Sequence, residues 1–207
     1  MTTRRKAQSL EQLRLTESAE RRIISTICDW ERIEYGEGKH RTPEELHECA
    51  RKNRSGFFIL TDASSLLGYA DVWELDRDFY RGLRGGAIAE ESLAKQYILG
   101  RSDAQSGLWY IGSIITEPAL RRDRPVRAAL AFAAICNVLP YFFRNHTPFP
   151  SKVLGVGSST FGKKLLTRWG FEPVVRDERA IDLRPRFEKS MTKPQDADSL
   201  YLGRHEI

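Results

Sequence analysis

The stretch from Leu108 to Arg127, LWYIGSIITEPALRRDRPVR, constrains the fold more than any other, together with the nine apolar residues Ala128 to Cys136 that follow it. Its first half is a short apolar run rich in β-branched and aromatic residues, which reads as a buried strand. Pro118 has no N–H to donate and ends any ladder. Four arginines then fall within seven residues, Arg121, Arg122, Arg124 and Arg127, before a long apolar helical pattern opens. A strand feeding a basic turn that opens a helix can hold a phosphate. The free N–H groups of a helix N-terminus face the anion, and the macrodipole favours negative charge there. The same spacing also fits a buried strand and helix joined by a solvated basic loop, a common join in α/β domains.

At 207 residues the chain suits one domain with tails. The expected division is a basic leader over 1–9, a domain over 10–188 and a polar tail over 189–207. The balance of 33 Lys+Arg against 28 Asp+Glu gives +5, well short of a dedicated nucleic-acid binder. Cys28, Cys49 and Cys136 show no metal or redox spacing, so reduced thiols are expected. The first residues lack the apolar core of a signal peptide, and no uninterrupted apolar run approaches a membrane span of about 18 residues. A cytoplasmic protein with no membrane partner is the expectation.

Leu10, Leu13 and Leu15 suggest a short first strand. Thr16 or Ser18 then caps a helix with Ile23, Ile24, Ile27 and Trp30 as its apolar positions. After the polar turn Gly36 to Arg41 comes a second helix, with Thr42 as cap, Pro43 at its first position and Glu44 and Glu45 in the first turn. His40 and His47 flank it and read as surface residues, because a zinc site needs three or four convergent ligands. Gly56 to Leu60 and Leu67 to Leu75 predict an antiparallel hairpin around Asp62 to Ser65. Tyr69, Asp71 and Trp73 then share one face of the second strand. Asp76 to Ser106 reads as an insertion, a lid or dimer element, with a helix over Ile88 to Leu99. Lys152 to Val156 is a further strand, and Ser158 or Ser159 caps a helix closed by Gly170. Phe171 to Val175 and Ala180 to Leu183 are the expected final strands.

This order of elements resembles the GNAT acyltransferase superfamily. So does the run VLGVGSSTFGKKLLTRWGFEPV, residues 153 to 174, which is similar to that family's strand, helix and Gly-Phe-Glu-Pro. The central stretch is similar too, with Arg121 where the family's turn carries its leading Arg or Gln. The resemblance covers about residues 10 to 185. It implies an α/β fold with a mixed, mostly antiparallel twisted sheet flanked by helices, and a helical insertion before the central strand. The activity it implies is transfer of an acetyl or short acyl group from acetyl-CoA, or another CoA thioester, to an amine by direct attack.

The chain departs from the family pattern at two places. The family's turn reads Arg/Gln-x-x-Gly-x-Gly/Ala, and its amides wrap the CoA pyrophosphate. Here those positions are Arg122, Arg124 and Val126, with no glycine to let the backbone approach a ligand. Pro125 removes one donor outright. A hydrogen bond to a charged group is worth roughly 1.5–3 kcal/mol, so one or two lost bonds would cost about ten- to a hundredfold in affinity. Arg121, Arg122, Arg124 and Arg127 could grip the diphosphate by side chain instead. In the last helix, Leu166 stands where the family often has a general-acid tyrosine and Ser159 where it often has asparagine. Gly162 meets the small residue expected beside the pantetheine arm. The resemblance also implies that amides near Ile114, Ile115 and Thr116 pair with that arm and polarise the thioester carbonyl, a role indifferent to side chain.

The candidate bases for the acceptor amine are Asp71 and Glu74 on the hairpin, with Tyr110 and Glu117 at the two ends of the central strand. Each could equally be a side chain facing solvent. Three readings stay open: an N-acyltransferase acting on a small-molecule or protein amine, a silent GNAT-fold ligand-binding or interaction module, and a polyanion binder. Nucleic acid is the least favoured partner, because no aromatics are interleaved with the basic residues. The insertion and the final strands are candidate surfaces for a homodimer.

Overall fold

The computed structural model describes residues 7–37, 40–62, 65–100 and 105–202. The leader's Arg4 to Lys6, the middle of the turn at 36–41, the tip of the hairpin at 63–64 and the end of the insertion at 101–104 lie outside them. The elements are β1 (Gln8–Ser9), α1 (Leu10–Leu13), α2 (Glu17–Tyr35), α3 (Pro43–Lys52), β2 (Phe57–Asp62) and β3 (Ser65–Glu74), then α4 (Arg77–Gly85) and β4 (Leu108–Thr116). There follow α5 (Pro118–Asp123), α6 (Pro125–Cys136), α7 (Leu139–His146), β5 (Ser151–Val156), α8 (Thr160–Arg168), β6 (Glu172–Pro173) and β7 (Arg186–Met191). The strands order as β1-β2-β3-β4-β5-β7-β6. The β4–β5 pair is parallel, whereas β1–β2, β2–β3, β5–β7 and β6–β7 are antiparallel. This is the mixed, mostly antiparallel α/β sheet that the sequence predicts.

The chain forms two compact units. The first holds the residues up to Asp71, then Ser113–Leu139 and the end from Leu202. Thr16 caps α2 by accepting from the Ala19 N–H, and Ile24, Ile27 and Trp30 bury its apolar stripe. Thr42 and Glu45 close a capping box on α3, with Pro43 at its start, and Leu46, Cys49 and Ala50 are buried. Phe57 to Leu60 of β2 are all buried, and β3 is buried on both faces. Two expectations fail here. The first strand is Gln8–Ser9, and Leu10–Leu13 is a single helical turn, because Ser9 and Gln12 form a capping box. His47 is a core residue at 3% exposure, with Nε2 3.3 Å from buried Glu20. No group of three potential metal ligands occurs among the described residues.

The second unit holds Val72–Gly112 and Pro140–Tyr201. Asp76 caps α4 by accepting from two backbone N–H groups. Residues 88–99 form two short 3-10 turns, Glu90–Ser92 and Lys95–Tyr97, in place of the expected helix. Their backbone is spent elsewhere: Asp76 donates to the Tyr97 carbonyl (2.9 Å) and Leu99 donates to that of Glu74 (2.8 Å). Leu93 and Ile98 are each buried singly. Trp109 of β4 packs edge-on against Phe142 and Phe143 of α7. The expected strand at Ala180 to Leu183 is absent, and the strand that fills the sheet is β7. The polar tail expected from Lys189 is part of the packing, since Met191, Ala197, Leu200 and Leu202 are buried. Their wide spacing gives no period, which hides them in the sequence.

Arg186 opens β7 at 1% exposure and fastens the irregular segment before it. Its Nε donates to the Leu83 carbonyl (2.5 Å), and Nη1 donates to those of Asp182 (2.9 Å) and Arg184 (2.6 Å). The three cysteines are free and buried. Pro125–His146, α6 and α7 together, is 22 residues long and apolar enough to cross a membrane by length and composition alone. Half of its apolar window is buried within the fold, as in the core helix of a domain.

Candidate functional site

The centre of the candidate site is β4. Its parallel pairing with β5 runs from Leu108 to Ile111 and stops there. On the other side the strand is held to β3, where Leu75 donates to the Leu108 carbonyl (2.8 Å) and Glu117 to the Leu67 carbonyl (3.0 Å). Those two bonds are one residue out of step, so β4 carries one more residue than the strand facing it, a β-bulge. Backbone groups alternate along a strand. With Glu117 bonded to β3, Ser113 and Ile115 also turn toward it, and the Ile114 and Thr116 amides turn away. Gly68 lets the two backbones come this close, since a Cβ there would stand 3.0 Å from the Ile115 carbonyl oxygen.

At the extra residue the partner is a side chain. The Ser113 N–H donates to Asp71 Oδ1 at 2.6 Å, and the Ser113 hydroxyl donates to Glu31 at 3.0 Å. Arg41 Nη2 bridges the two carboxylates, 2.9 Å from Asp71 Oδ2 and 3.2 Å from Glu31 Oε1. The Tyr69 hydroxyl also donates to Glu31. Asp71 has no exposed surface, and burial pushes its carboxyl up to about 6, with Arg41 pulling it down and Glu31 adding to the rise. A carboxylate with both oxygens engaged and no access to solvent is an anchor, so Asp71 is not placed to take a proton from an amine. Sequence reasoning missed Glu31, Arg41 and Ser113. Glu31 carried a signal, because it lies on the same helical stripe as Ile24 and Ile27.

The other base candidates differ. Glu74 is buried and accepts from the Ser106 N–H (2.7 Å) and the Gly107 N–H (2.9 Å), which fastens the loop entering β4. Tyr110 is 1% exposed and its hydroxyl is bonded to Glu90. Neither is placed as a base. Glu117 is half-buried just before α5, and among the described residues its carboxylate has no hydrogen bond or ion pair. It alone of the four has a free carboxylate.

The basic turn is largely helical. Pro118–Asp123 forms α5, and its end spends backbone amides internally: Arg121 donates to the Glu117 carbonyl and Arg124 to that of Leu120. The twelve-residue α6 then opens at Pro125 with no side-chain cap, and its first internal bond runs from the Ala128 N–H to the Arg124 carbonyl. The Val126 and Arg127 amides are therefore the open donors of its first turn. Arg121 is held by Glu34 at 2.6 Å and Arg127 by Asp62 at 2.5 Å. Arg122 reaches only its exposed neighbour Asp123, and Arg124 is exposed with no ion pair among the described residues. Such surface pairs are worth at most about 1 kcal/mol and yield readily to a phosphate.

In the second unit, Ser159 caps α8 by accepting from the Gly162 N–H at 3.0 Å. A Cβ on Gly162 would meet only that hydroxyl, at 3.3 Å, so space beside it is otherwise open. Leu166 is buried over Gly155, where an added Cβ would lie 2.6 Å from its Cδ2. It is a packing residue.

No protein-family model matches the chain, and no curated protein is similar to it in sequence. Solved structures are similar in fold. The CoA-dependent acyl-homoserine lactone synthase BjaI is 14% identical, with 95% of this chain and 86% of that chain covered at a TM-score of 0.54. PH1933 from Pyrococcus horikoshii is 14% identical, with 91% and 99% covered at 0.52. FeeM, an N-acyl amino acid synthase from uncultured soil microbes, is 16% identical, with 97% of each chain covered at 0.50. The chain has a GNAT-like fold.

Proposed function

We propose that the chain transfers an acetyl or short acyl group from a CoA thioester to an amine. The observation that carries this reading is the edge of β4 beyond Ile111, where the Ile114 and Thr116 amides turn away from β3 and the pairing with β5 has ended. BjaI, similar in fold, is described as CoA-dependent, which supports the choice of donor.

The residues present fit such a donor in part. Ile114 and Thr116 would bond the pantetheine arm along the strand edge. Val126 and Arg127 would offer two helix-terminal amides to the diphosphate, and Arg122 and Arg124 two exposed guanidinium groups. The thioester supplies an activated acyl carbon and a thiolate leaving group. The Ile114 N–H polarises the carbonyl, a role that preorganised backbone donors fill well. Glu117 takes the proton that the amine nitrogen gives up as the C–N bond forms and the C–S bond breaks. Leu166, an apolar side chain, can contribute no proton.

A second reading is favoured by α5 itself. A turn that spends its amides internally suits a protein that keeps the fold and has given up the donor. Titration calorimetry with acetyl-CoA, CoA and propionyl-CoA separates the two. Micromolar binding that weakens with added salt supports acyl transfer, and absence of binding at millimolar ligand overturns it.

A further inference from the structure

The bulge in β4 has an unusual anchor. A residue inserted into a ladder leaves its amide without a backbone partner. Here that amide belongs to Ser113, and its two donors are gripped by different buried carboxylates, the N–H by Asp71 at 2.6 Å and the hydroxyl by Glu31 at 3.0 Å. Arg41, at 12% exposure, ties those carboxylates to one another, so neither can swing away alone. The next residue, Ile114, carries the amide assigned above to the thioester carbonyl.

We propose that Asp71 is a positioning residue: by taking the Ser113 N–H it holds the extra residue of β4 in place and keeps the Ile114 N–H turned outward to meet the thioester carbonyl. Glu31 and Arg41 act through Asp71 and Ser113 and touch no substrate. The inference rests on the acyl-transfer reading and assigns that reading a source of its preorganisation. Oxyanion donors act by standing ready before reaction, and small misplacements of such a group cost rate steeply. If the strand slipped by one residue to close the bulge, Ile114 would turn toward β3 and its N–H would be lost to the ladder.

The test compares wild type, Asp71→Ala and Asp71→Asn in thiol release from acetyl-CoA with a panel of amines, alongside amide hydrogen exchange by NMR. Asp71→Ala should lower kcat per folded molecule about a hundredfold while the KM for acetyl-CoA stays within about threefold. Asp71→Asn keeps an oxygen that can accept from Ser113 and should recover most of the loss. Exchange at Ser113 should quicken at least about tenfold in Asp71→Ala, with Ile59 of β2 unchanged. An unchanged kcat, a loss confined to KM, or an Asn variant as damaged as the Ala variant would overturn the proposal. If Asp71→Ala does not fold, wild-type exchange decides: Ser113 protected with Ile114 open supports it, and Ser113 exchanging as fast as Ile114 sinks it. Protected Ser113 in a wild type that never releases thiol would refute the acyl-transfer reading instead, so the two failures are distinguishable.

Discussion

Leu166 packs on Gly155 of β5, and that contact gives a quantitative test of what the side chain does. In Gly155→Ala the new Cβ would lie 2.6 Å from Leu166 Cδ2 and 3.1 Å from Cδ1. Carbon atoms prefer about 3.5–4.0 Å, so the leucine must retreat by about 1 Å into a filled core. Overpacking of this kind costs about 1–3 kcal/mol, offset by about 0.5–1 kcal/mol because alanine loses less chain freedom than glycine on folding. The net expectation is a loss of about 1–2 kcal/mol. Leu166→Ala alone should cost about 2–5 kcal/mol through lost burial and the cavity left behind. In the double variant the collision is gone and the new methyl group fills part of that cavity, so the combined loss should fall short of the sum by about 1–3 kcal/mol. Urea unfolding of the four proteins at constant m reads this directly. Losses that add to within about 0.5 kcal/mol would show that the two groups do not meet, and the assignment of Leu166 to packing would fall.

Asp71 should leave a mark on stability against pH. Its carboxyl is raised in the fold to about 6, so the folded chain takes up the proton before the unfolded chain does, and stability declines as pH rises from about 4 to 6. Asp71→Asn should flatten that decline by about 2 kcal/mol, read from urea midpoints at pH 4 and pH 7; an identical slope in both proteins would refute the assignment. Arg122→Ala combined with Arg124→Ala should weaken CoA about ten- to a hundredfold and reduce the salt dependence of binding, and calorimetry showing unchanged affinity would count against side-chain capture. Glu117→Gln should lower kcat about a hundredfold or more, whereas a kcat like the wild type's would exclude it as the base.

Where local signals agreed with packing, the sequence was a sound guide. The caps at Thr16, Thr42 and Ser159, the hairpin and the buried strand at 108–116 all came through, because each rests on contacts within a few residues of itself. Pro118 and Pro125 mattered in a second way. Both sit at the first position of a helix, where the missing N–H costs nothing, and α5 therefore replaces an open turn. Residues 88–99 have helical apolar spacing, yet pairing with the end of β3 claimed their backbone first. β7 was hidden by its charges, since Arg186 is buried and Glu188 bonds to Tyr80 and Arg84. The anchor at Ser113 was illegible for a different reason. It depends on the register of two strands, and nothing in either strand's own residues fixes the offset between them.

The guanidinium of Arg186 has a consequence for where this chain can vary. A segment without a ladder would ordinarily need its own amides, turn residues or ordered water to satisfy its buried carbonyls. Here one side chain does so for Leu83, Asp182 and Arg184 together. The amides of Asp177, Ile181 and Asp182 add bonds to the Gly85 and Gly86 carbonyls, so the exposed side chains of Arg176, Glu178 and Ile181 are not what holds this backbone. Substitution there should be nearly silent, while even a lysine at 186, a point charge in place of a planar fork, could not serve all three carbonyls. A surface that can change its side chains without moving its backbone is well suited to acquiring new contacts.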